Sequence, residues 1–175
     1  IDTAVAVVDV TCAGDMNGSI TIEGTTGGFG TVNYAFEDEP FQSSSVFDQL
    51  GGGSYMVVAM DSLMCTDTLE VYVDEAAALQ LFAFASDVDC NGDDTGSIPV
   101  TSEGGTGVIT FELGEESNID GNFTGLDAGP YTVFATDANS CVANISAEVE
   151  EPDAIVITVD SQVDPNDAPN GEISV

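Results

Sequence analysis

The feature that most constrains the fold of this chain is an internal repeat. The stretch Leu50–Cys65 aligns without a gap with Leu126–Cys141, which lies 76 positions further along. Seven residues recur in register: Leu50/Leu126, Gly53/Gly129, Tyr55/Tyr131, Val57/Val133, Ala59/Ala135, Asp61/Asp137 and Cys65/Cys141. Because each copy of a repeated sequence builds the same structural unit, the chain is predicted to be a tandem array.

The repeated stretch has the pattern of a turn followed by a core strand. Tyr131, Val133 and Ala135 occupy every second position, which is the side-chain period of a β-strand. Gly129 precedes them and suits a tight turn, since glycine tolerates a positive φ. Six or seven such short strands fit into each unit, separated by turns rich in Gly, Asn, Asp and Ser, and no segment has helical periodicity.

These patterns predict an all-β fold of tandem immunoglobulin-like antiparallel β-sandwich repeats arranged end to end. Residues 1–75 form the first repeat, residues 76–151 the second, and residues 152–175 the start of an incomplete third. The linkers Asp74–Ala78 and Glu150–Asp153 are short, so neighbouring repeats are expected to form a semi-rigid rod.

The charge of the chain excludes several classes of function. There are 32 acidic residues and no Lys, Arg or His, which gives a net charge of −32. Nucleic-acid binding and attachment to anionic lipids both need cationic side chains, so neither is expected. Ser-His-Asp triads, Cys-His pairs and Schiff-base lysines are excluded for the same reason. The segment also has no apolar run of 18 residues, so no membrane insertion is expected.

Each unit contains one early and one late cysteine. Cys12 and Cys65 are 53 positions apart, and Cys90 and Cys141 are 51 positions apart. This spacing predicts one disulfide within each unit and an oxidising compartment. The alternative is four unpaired buried thiols. A zinc site is disfavoured, because the chain has no CxxC pair and no histidine.

Two groups of carboxylates are candidate Ca²⁺ ligands. One is Asp87, Asp89, Asn91 and Asp93, which follow the pattern D-x-D-x-N-G of a calcium loop, although Ile98 stands where that loop needs glutamate. The alternative for this group is a solvated acidic turn.

The second group of candidate Ca²⁺ ligands lies at the junctions between units. It comprises Asp74 and Glu75 after the first repeat, and Glu150 and Glu151 after the second. Carboxylates crowded at a junction could bind Ca²⁺ between repeats. The alternative is a surface that keeps the chain soluble and prevents sheet edges from associating.

Asp61 and Asp137 follow the core strand in both copies of the repeat. A ligand or a catalytic acid is one interpretation. The favoured interpretation is an Asx turn, in which the carboxylate accepts hydrogen bonds from the backbone of the loop that leads to the cysteine.

The order of motifs resembles the SprB repeat of large surface adhesins of Bacteroidota, including the gliding-motility adhesin. The resemblance rests on Asn17–Ile20 and Thr95–Ile98, and on the pattern F-x-x-L-x-x-G-x-Y-x-V-x-A-x-D before Cys in Phe47–Cys65 and Phe123–Cys141. One departure is Val32–Phe36, which lacks the Trp that many members have. The resemblance implies a cell-surface filament or adhesin exported by the type IX secretion system.

The same resemblance implies O-glycosylation. The segments that begin at Asp2, Asp61 and Asp67 match the Bacteroidota motif, in which Asp is followed by Ser or Thr and then a small or aliphatic residue. The acceptor residues would be Thr3, Ser62 and Thr68.

We therefore predict a non-enzymatic, extracellular segment of a large cell-surface adhesin, which serves as a stalk or filament. Its expected partners are further repeats of the same chain, with a homo-oligomeric filament and surface glycans as further candidates. The main alternative is a glycan- or protein-binding module that acts through the glycine-rich loops Gly24–Gly30 and Gly104–Gly107. An accessory domain of a secreted hydrolase is a third interpretation.

Overall fold

The computed structural model describes residues 2–36, 39–159, 161–162 and 173–174. Within these ranges all regular secondary structure is β-strand. The strands form two successive β-sandwiches, which we call the first and the second sandwich, and a short strand pair, β14 (Ser161–Gln162) with β15 (Ile173–Ser174).

The first sandwich consists of two three-stranded antiparallel sheets. One sheet has the order β1-β2-β4 and the other the order β3-β5-β6. The strands are β1 (Asp2–Val8), β2 (Gly18–Thr26), β3 (Asn33–Phe36), β4 (Val46–Leu50), β5 (Gly53–Met60) and β6 (Thr66–Val73).

The second sandwich repeats this topology with one additional strand, β10. Its sheets have the orders β7-β8-β11 and β10-β9-β12-β13. The strands are β7 (Gln80–Ala83), β8 (Gly96–Glu103), β9 (Thr110–Leu113), β10 (Glu116–Asn118), β11 (Asn122–Leu126), β12 (Gly129–Thr136) and β13 (Val142–Val149). This all-β architecture confirms the sequence-based fold class of tandem immunoglobulin-like antiparallel β-sandwiches.

Each sandwich has a hydrophobic core of its own. In the first, Ile20 of β2 and Val57 of β5 are buried in one cluster, and in the second Ile98 of β8 and Val133 of β12 take the equivalent places. These residues point inward because successive side chains of a strand alternate between its two faces. With a separate core, each sandwich has its own source of hydrophobic stabilisation.

The chain crosses between the two sheets of a sandwich just after its first strand. Val10, which follows β1, donates its N–H to the carbonyl of Asp74 at 2.9 Å and forms a parallel bridge with Glu75. In the second sandwich Val88 donates its N–H to the carbonyl of Glu150 at 3.1 Å. The connection between the first two strands therefore lies at the end where the last strand of the same sandwich finishes.

Replacing the buried phenylalanine of β11 with alanine should destabilise the second sandwich strongly. Phe123 is fully buried, so Phe123→Ala should lower the free energy of unfolding by about 3–5 kcal/mol. Its counterpart Phe47 is only partly buried and stacks on Phe36 with ring centroids 4.3 Å apart, so Phe47→Ala should cost less. Urea denaturation of the two variants tests this, and an equal or larger loss for Phe47→Ala would contradict the packing described.

Candidate functional site at the junction

The segment that joins the two sandwiches is hydrogen-bonded to both of them. On one side the carbonyl of Asp74 accepts the N–H of Val10, and on the other the carbonyl of Ala77 accepts the N–H of Gly105 at 3.0 Å. Gly104 has a φ of +72°, and any side chain there would collide with the carbonyl of Ala78. The glycine-rich loop of the second sandwich thus leaves room for the linker, because it has no side chain at Gly104.

A disulfide also crosses this junction. Cys12, in the β1–β2 connection of the first sandwich, is bonded to Cys141, in the β12–β13 hairpin of the second. The Cα atoms are 5.6 Å apart and the two residues are separated by 129 positions in sequence. Beside the bond, the side-chain amide of Asn139 donates to the carbonyl of Thr11 at 3.4 Å.

The prediction of one disulfide within each repeat is therefore wrong, and strand length explains why. Cys12 lies close to Val10, which is bonded to the end of β6, whereas Cys65 directly precedes the start of β6. This strand has eight residues and spans about 26 Å at about 3.3 Å per residue. A disulfide needs Cα atoms within about 7 Å of each other, so Cys12 and Cys65 cannot be bonded.

The second sandwich has the same geometry. Cys90 lies beside the end of β13 through the bond from Val88 to Glu150, and Cys141 directly precedes β13, which also has eight residues. In the part of the chain that the structure describes, Cys65 and Cys90 are unpaired, and both are exposed.

Acidic residues form hydrogen bonds at the end of the first sandwich where its last strand finishes and the linker begins, which we call the outgoing end. The Oδ1 atom of Asp9 accepts the N–H of Asp74 at 2.9 Å, and Oε1 of Glu75 accepts the N–H of Gly14. Both bonds tie the β1–β2 connection to the start of the linker. Asp9 was not singled out from the sequence, although Asp-Val recurs as Asp87-Val88 in the second repeat.

The same contacts recur after the second sandwich. The Oδ1 atom of Asp87 accepts the N–H of Glu150 at 3.0 Å, and Oε2 of Glu151 accepts the N–H of Gly92 at 3.0 Å. The side-chain amide of Asn91 donates to the carbonyl of Pro152 at 3.1 Å. Residues from the two predicted Ca²⁺ groups are thus brought together at one end of the sandwich.

These carboxylates act as acceptors for backbone N–H groups. Among the described residues, no group of three or more acidic or cysteine side chains is arranged to hold a metal ion. The exposed Asp89 donates its own N–H to Oγ1 of Thr95 at 2.8 Å, and the N–H of Asp93 closes a turn onto the carbonyl of Cys90. Ca²⁺ binding at these residues therefore stays a prediction.

The carboxylate of Asp61 is buried and forms the Asx turn that the sequence indicated. Its Oδ1 accepts the N–H groups of Leu63 at 2.8 Å and Cys65 at 2.9 Å, and its Oδ2 accepts that of Phe29 at 3.0 Å. Folding holds the pKa of Asp61 below its usual range. The hydrogen bond from the N–H of Cys65 is the largest cause, and the bonds from Phe29 and Leu63 add to it, whereas burial acts in the opposite direction.

Asp137 makes the equivalent contacts at the junction. Its Oδ1 accepts the N–H groups of Asn139 at 2.9 Å and Cys141 at 2.8 Å, and its Oδ2 accepts that of Thr106 at 2.8 Å. Burial raises the pKa of Asp137, but the N–H groups of Cys141, Thr106 and Asn139 together outweigh it and lower the pKa. Asp137 thereby positions both the disulfide hairpin and the glycine-rich loop.

Two of the three predicted glycosylation sites, Ser62 and Thr68, have side chains that the structure describes. Ser62 is exposed, but its hydroxyl accepts the N–H of Thr31 at 3.0 Å and donates to the carbonyl of Thr31 at 3.2 Å. Thr68 is exposed in β6. The side chain of Thr3 lies outside the described residues.

The chain matches the SprB repeat model in two regions, residues 4–39 and 83–114. This confirms the resemblance inferred from the sequence. Each match covers the first part of one repeat, whereas the stretches that end at Cys65 and Cys141 lie outside it. A comparison with curated proteins found no match.

Several solved structures match over most of this chain. The fibronectin(III)-like modules of Clostridium thermocellum CbhA match with 16% identity and a TM-score of 0.37, over 85% of this chain and 94% of that one. A C-terminal fragment of intimin in complex with the intimin-binding domain of its translocated receptor matches with 13% identity and a TM-score of 0.41, over 85% and 63%. The mouse nectin-like molecule 4 ectodomain matches with 15% identity and a TM-score of 0.36, over 89% and 66%. We infer no function from these likenesses.

The described residues include no helix with the length and apolarity that a membrane span requires.

Replacing Asp137 with asparagine should destabilise the junction end of the second sandwich. The amide of Asn presents a donor where Oδ2 now accepts the N–H of Thr106, so Asp137→Asn should lower the melting temperature at pH 7. Because folding lowers the pKa of this carboxyl, the stability that it contributes is complete above about pH 4, the usual pKa of Asp. That stability is lost as the pH falls through the folded-state pKa. The variant should therefore lose less stability than the wild type between pH 4 and pH 2.

The matched control is Asp127→Asn, which removes one negative charge from an exposed site of the same sandwich. Thermal unfolding of the three proteins across this pH range gives the comparison. If Asp127→Asn and Asp137→Asn have the same melting temperature and the same acid profile, the structural role assigned to Asp137 is contradicted.

Proposed function

We propose that this chain is a non-enzymatic, extracellular structural segment of a large cell-surface adhesin, which serves as a stalk or filament. The observation that supports this most is the junction, where the linker is hydrogen-bonded to both sandwiches and a disulfide joins the same two bodies. A flexible string of domains needs neither contact. A stalk needs both, because it must hold its length and direction when it is pulled.

The charge of the chain fits this role. A net charge of −32 on 175 residues makes neighbouring rods repel each other and keeps exposed sheet edges from associating. A disulfide between surface loops persists in an oxidising compartment, which supports an extracellular location. Salt or divalent cations outside the cell would relieve the self-repulsion.

Several finer features follow from the resemblance to the SprB repeat. They are export by the type IX secretion system, a role in gliding motility and O-glycans on Thr3, Ser62 and Thr68. We divide the chain into repeats at residues 1–75, 76–151 and 152–175. Its partners in this proposal are further repeats of the same chain, with lateral filament formation and surface glycans as additional possibilities.

Binding through the glycine-rich loops is the second candidate function. The side chain of Phe29 in the loop of the first sandwich is 65% exposed, which gives that loop an apolar contact point. The corresponding loop of the second sandwich is already occupied, since Gly105 bonds the linker at Ala77. The loops therefore fit contacts between repeats better than contacts with a foreign ligand.

The stalk proposal predicts a large effect of reduction on the length of the chain under force. With the disulfide intact, a load applied at the two termini passes through the Cys12–Cys141 bond and does not extend the residues between them. Reduction should release 129 positions and add roughly 45 nm of contour length, at about 3.5 Å per residue. Single-molecule pulling with and without reductant measures this difference.

The control is Cys12→Ser, which should show the long contour length under both conditions. An oxidised wild-type chain that extends as far as the reduced one would contradict a stalk that carries load through this bond. Binding of a glycan or protein that is abolished by Phe29→Ser, in a chain whose extension is unchanged by reduction, would favour the second candidate.

A further inference from the structure

The two unpaired cysteines occupy the same positions in the repeat as the two paired ones. Cys90 corresponds to Cys12, because Val88 and Val10 make the same bond to the end of the last strand two residues earlier. Cys65 corresponds to Cys141, because each directly precedes the last strand and donates its N–H to the buried Asp at the start of its hairpin. Each sandwich thus has an early cysteine at its outgoing end and a late cysteine at the opposite end, where the last strand begins, which we call the incoming end.

The position of these ends decides which cysteines can meet. Within one sandwich the early and late cysteines are separated by the length of the last strand, so they cannot be bonded to each other. Between consecutive sandwiches the outgoing end of one faces the incoming end of the next, and there the bond from Cys12 to Cys141 forms. Cys65 and Cys90 are therefore at the two outer ends of the pair of sandwiches.

The surroundings of Cys90 repeat those of Cys12. A cavity of about 420 Å³ lies beside Cys12, lined by Ala78 and Leu79 on one side of the junction and by Ser140 and Val142 of the next hairpin. A cavity of about 530 Å³ lies beside Cys90, lined by Ala154 and Ile155, which are the counterparts of Ala78 and Leu79. The apolar residues that follow are also exposed, with Ile155 at 96% and Ile157 at 76%.

We propose that Cys65 and Cys90 are the junction cysteines of a continuous disulfide ladder. Cys90 bonds the late cysteine of a following repeat of the same kind, and Cys65 bonds the early cysteine of a preceding one. In each bond two thiols lose two protons and two electrons, which a disulfide oxidant such as oxidised glutathione accepts by thiol–disulfide exchange. The ladder rests on the proposed stalk for its partner, a neighbouring repeat.

Such a ladder would limit how far the stalk can lengthen, even when its sandwiches unfold. The covalent path would run from an early cysteine through the disulfide to the late cysteine of the next repeat, and from there along the backbone to the next early cysteine. One such step advances the path by two repeats, and its backbone part has 25 residues, as from Cys65 to Cys90, or about 90 Å when extended. Without disulfides, the same two repeats of 76 residues each would extend to about 530 Å.

The test lengthens the full chain by one repeat, with a second copy of residues 76–151 inserted after Glu151. Each sandwich has its own hydrophobic core, so the inserted copy brings what it needs to fold. After refolding with oxidised and reduced glutathione, free thiols are blocked with N-ethylmaleimide in denaturant and located by mass spectrometry. We expect two labelled thiols among six cysteines, Cys65 and the Cys90 of the inserted copy, with Cys90 of the original repeat bonded to Cys141 of the inserted copy.

The matched control is Cys141→Ser in the inserted copy alone. It should return Cys90 of the original repeat to the labelled set and leave the bond between Cys12 and the original Cys141 intact. Four labelled thiols in the lengthened chain, or Cys90 bonded to any other cysteine, would overturn the ladder. Either result with Cys12 still bonded to Cys141 would leave the stalk proposal standing, because that proposal depends on the pulling experiment.

Discussion

The length of one strand determines how this chain is cross-linked. The last strand of each sandwich has eight residues and separates an early cysteine at one end from a late cysteine at the other. A disulfide cannot span that distance, so oxidation can join only cysteines of different sandwiches. The disulfide therefore joins neighbouring sandwiches of the array. It forms at the junction because the last strand holds the two cysteines of one sandwich at opposite ends.

A chain without cationic side chains must find other partners for its carboxylates, and here those partners are backbone N–H groups. Asp61 and Asp137 each accept two of them from their own hairpin and one from the glycine-rich loop. Asp9 and Asp87 each accept one from the first residue after the last strand. The bonds fix the loops at both ends of each sandwich. Because a carboxylate accepts several N–H groups at once, a few buried acids can replace ion pairs in holding surface loops.

The period-2 patterns and the internal repeat were enough to predict the fold class, because alternation and turn residues are local signals. The Asx turns at Asp61 and Asp137 were predictable for the same reason. The pairing of Cys12 with Cys141 was not, since spacing along the sequence does not show which end of a sandwich each cysteine occupies. A comparison of the cysteine positions with the length of Thr66–Val73 would have excluded the pairing of Cys12 with Cys65. The glycine-rich loop at Gly104 could not be assigned to the linker from sequence, because that contact joins separate segments in space.

The most direct test of this account is peptide mapping of the native chain without reduction. Cleavage after Asp and Glu places each cysteine in a separate peptide, so each pairing gives a distinct mass. The structure requires the peptide Val10–Asp15 to be joined to Ala138–Glu148, with the peptides that contain Cys65 and Cys90 not joined to either of them. Recovery of Val10–Asp15 joined to Ser62–Asp67 would show that the disulfide lies within the first sandwich, and the stalk and the ladder would both lose their foundation.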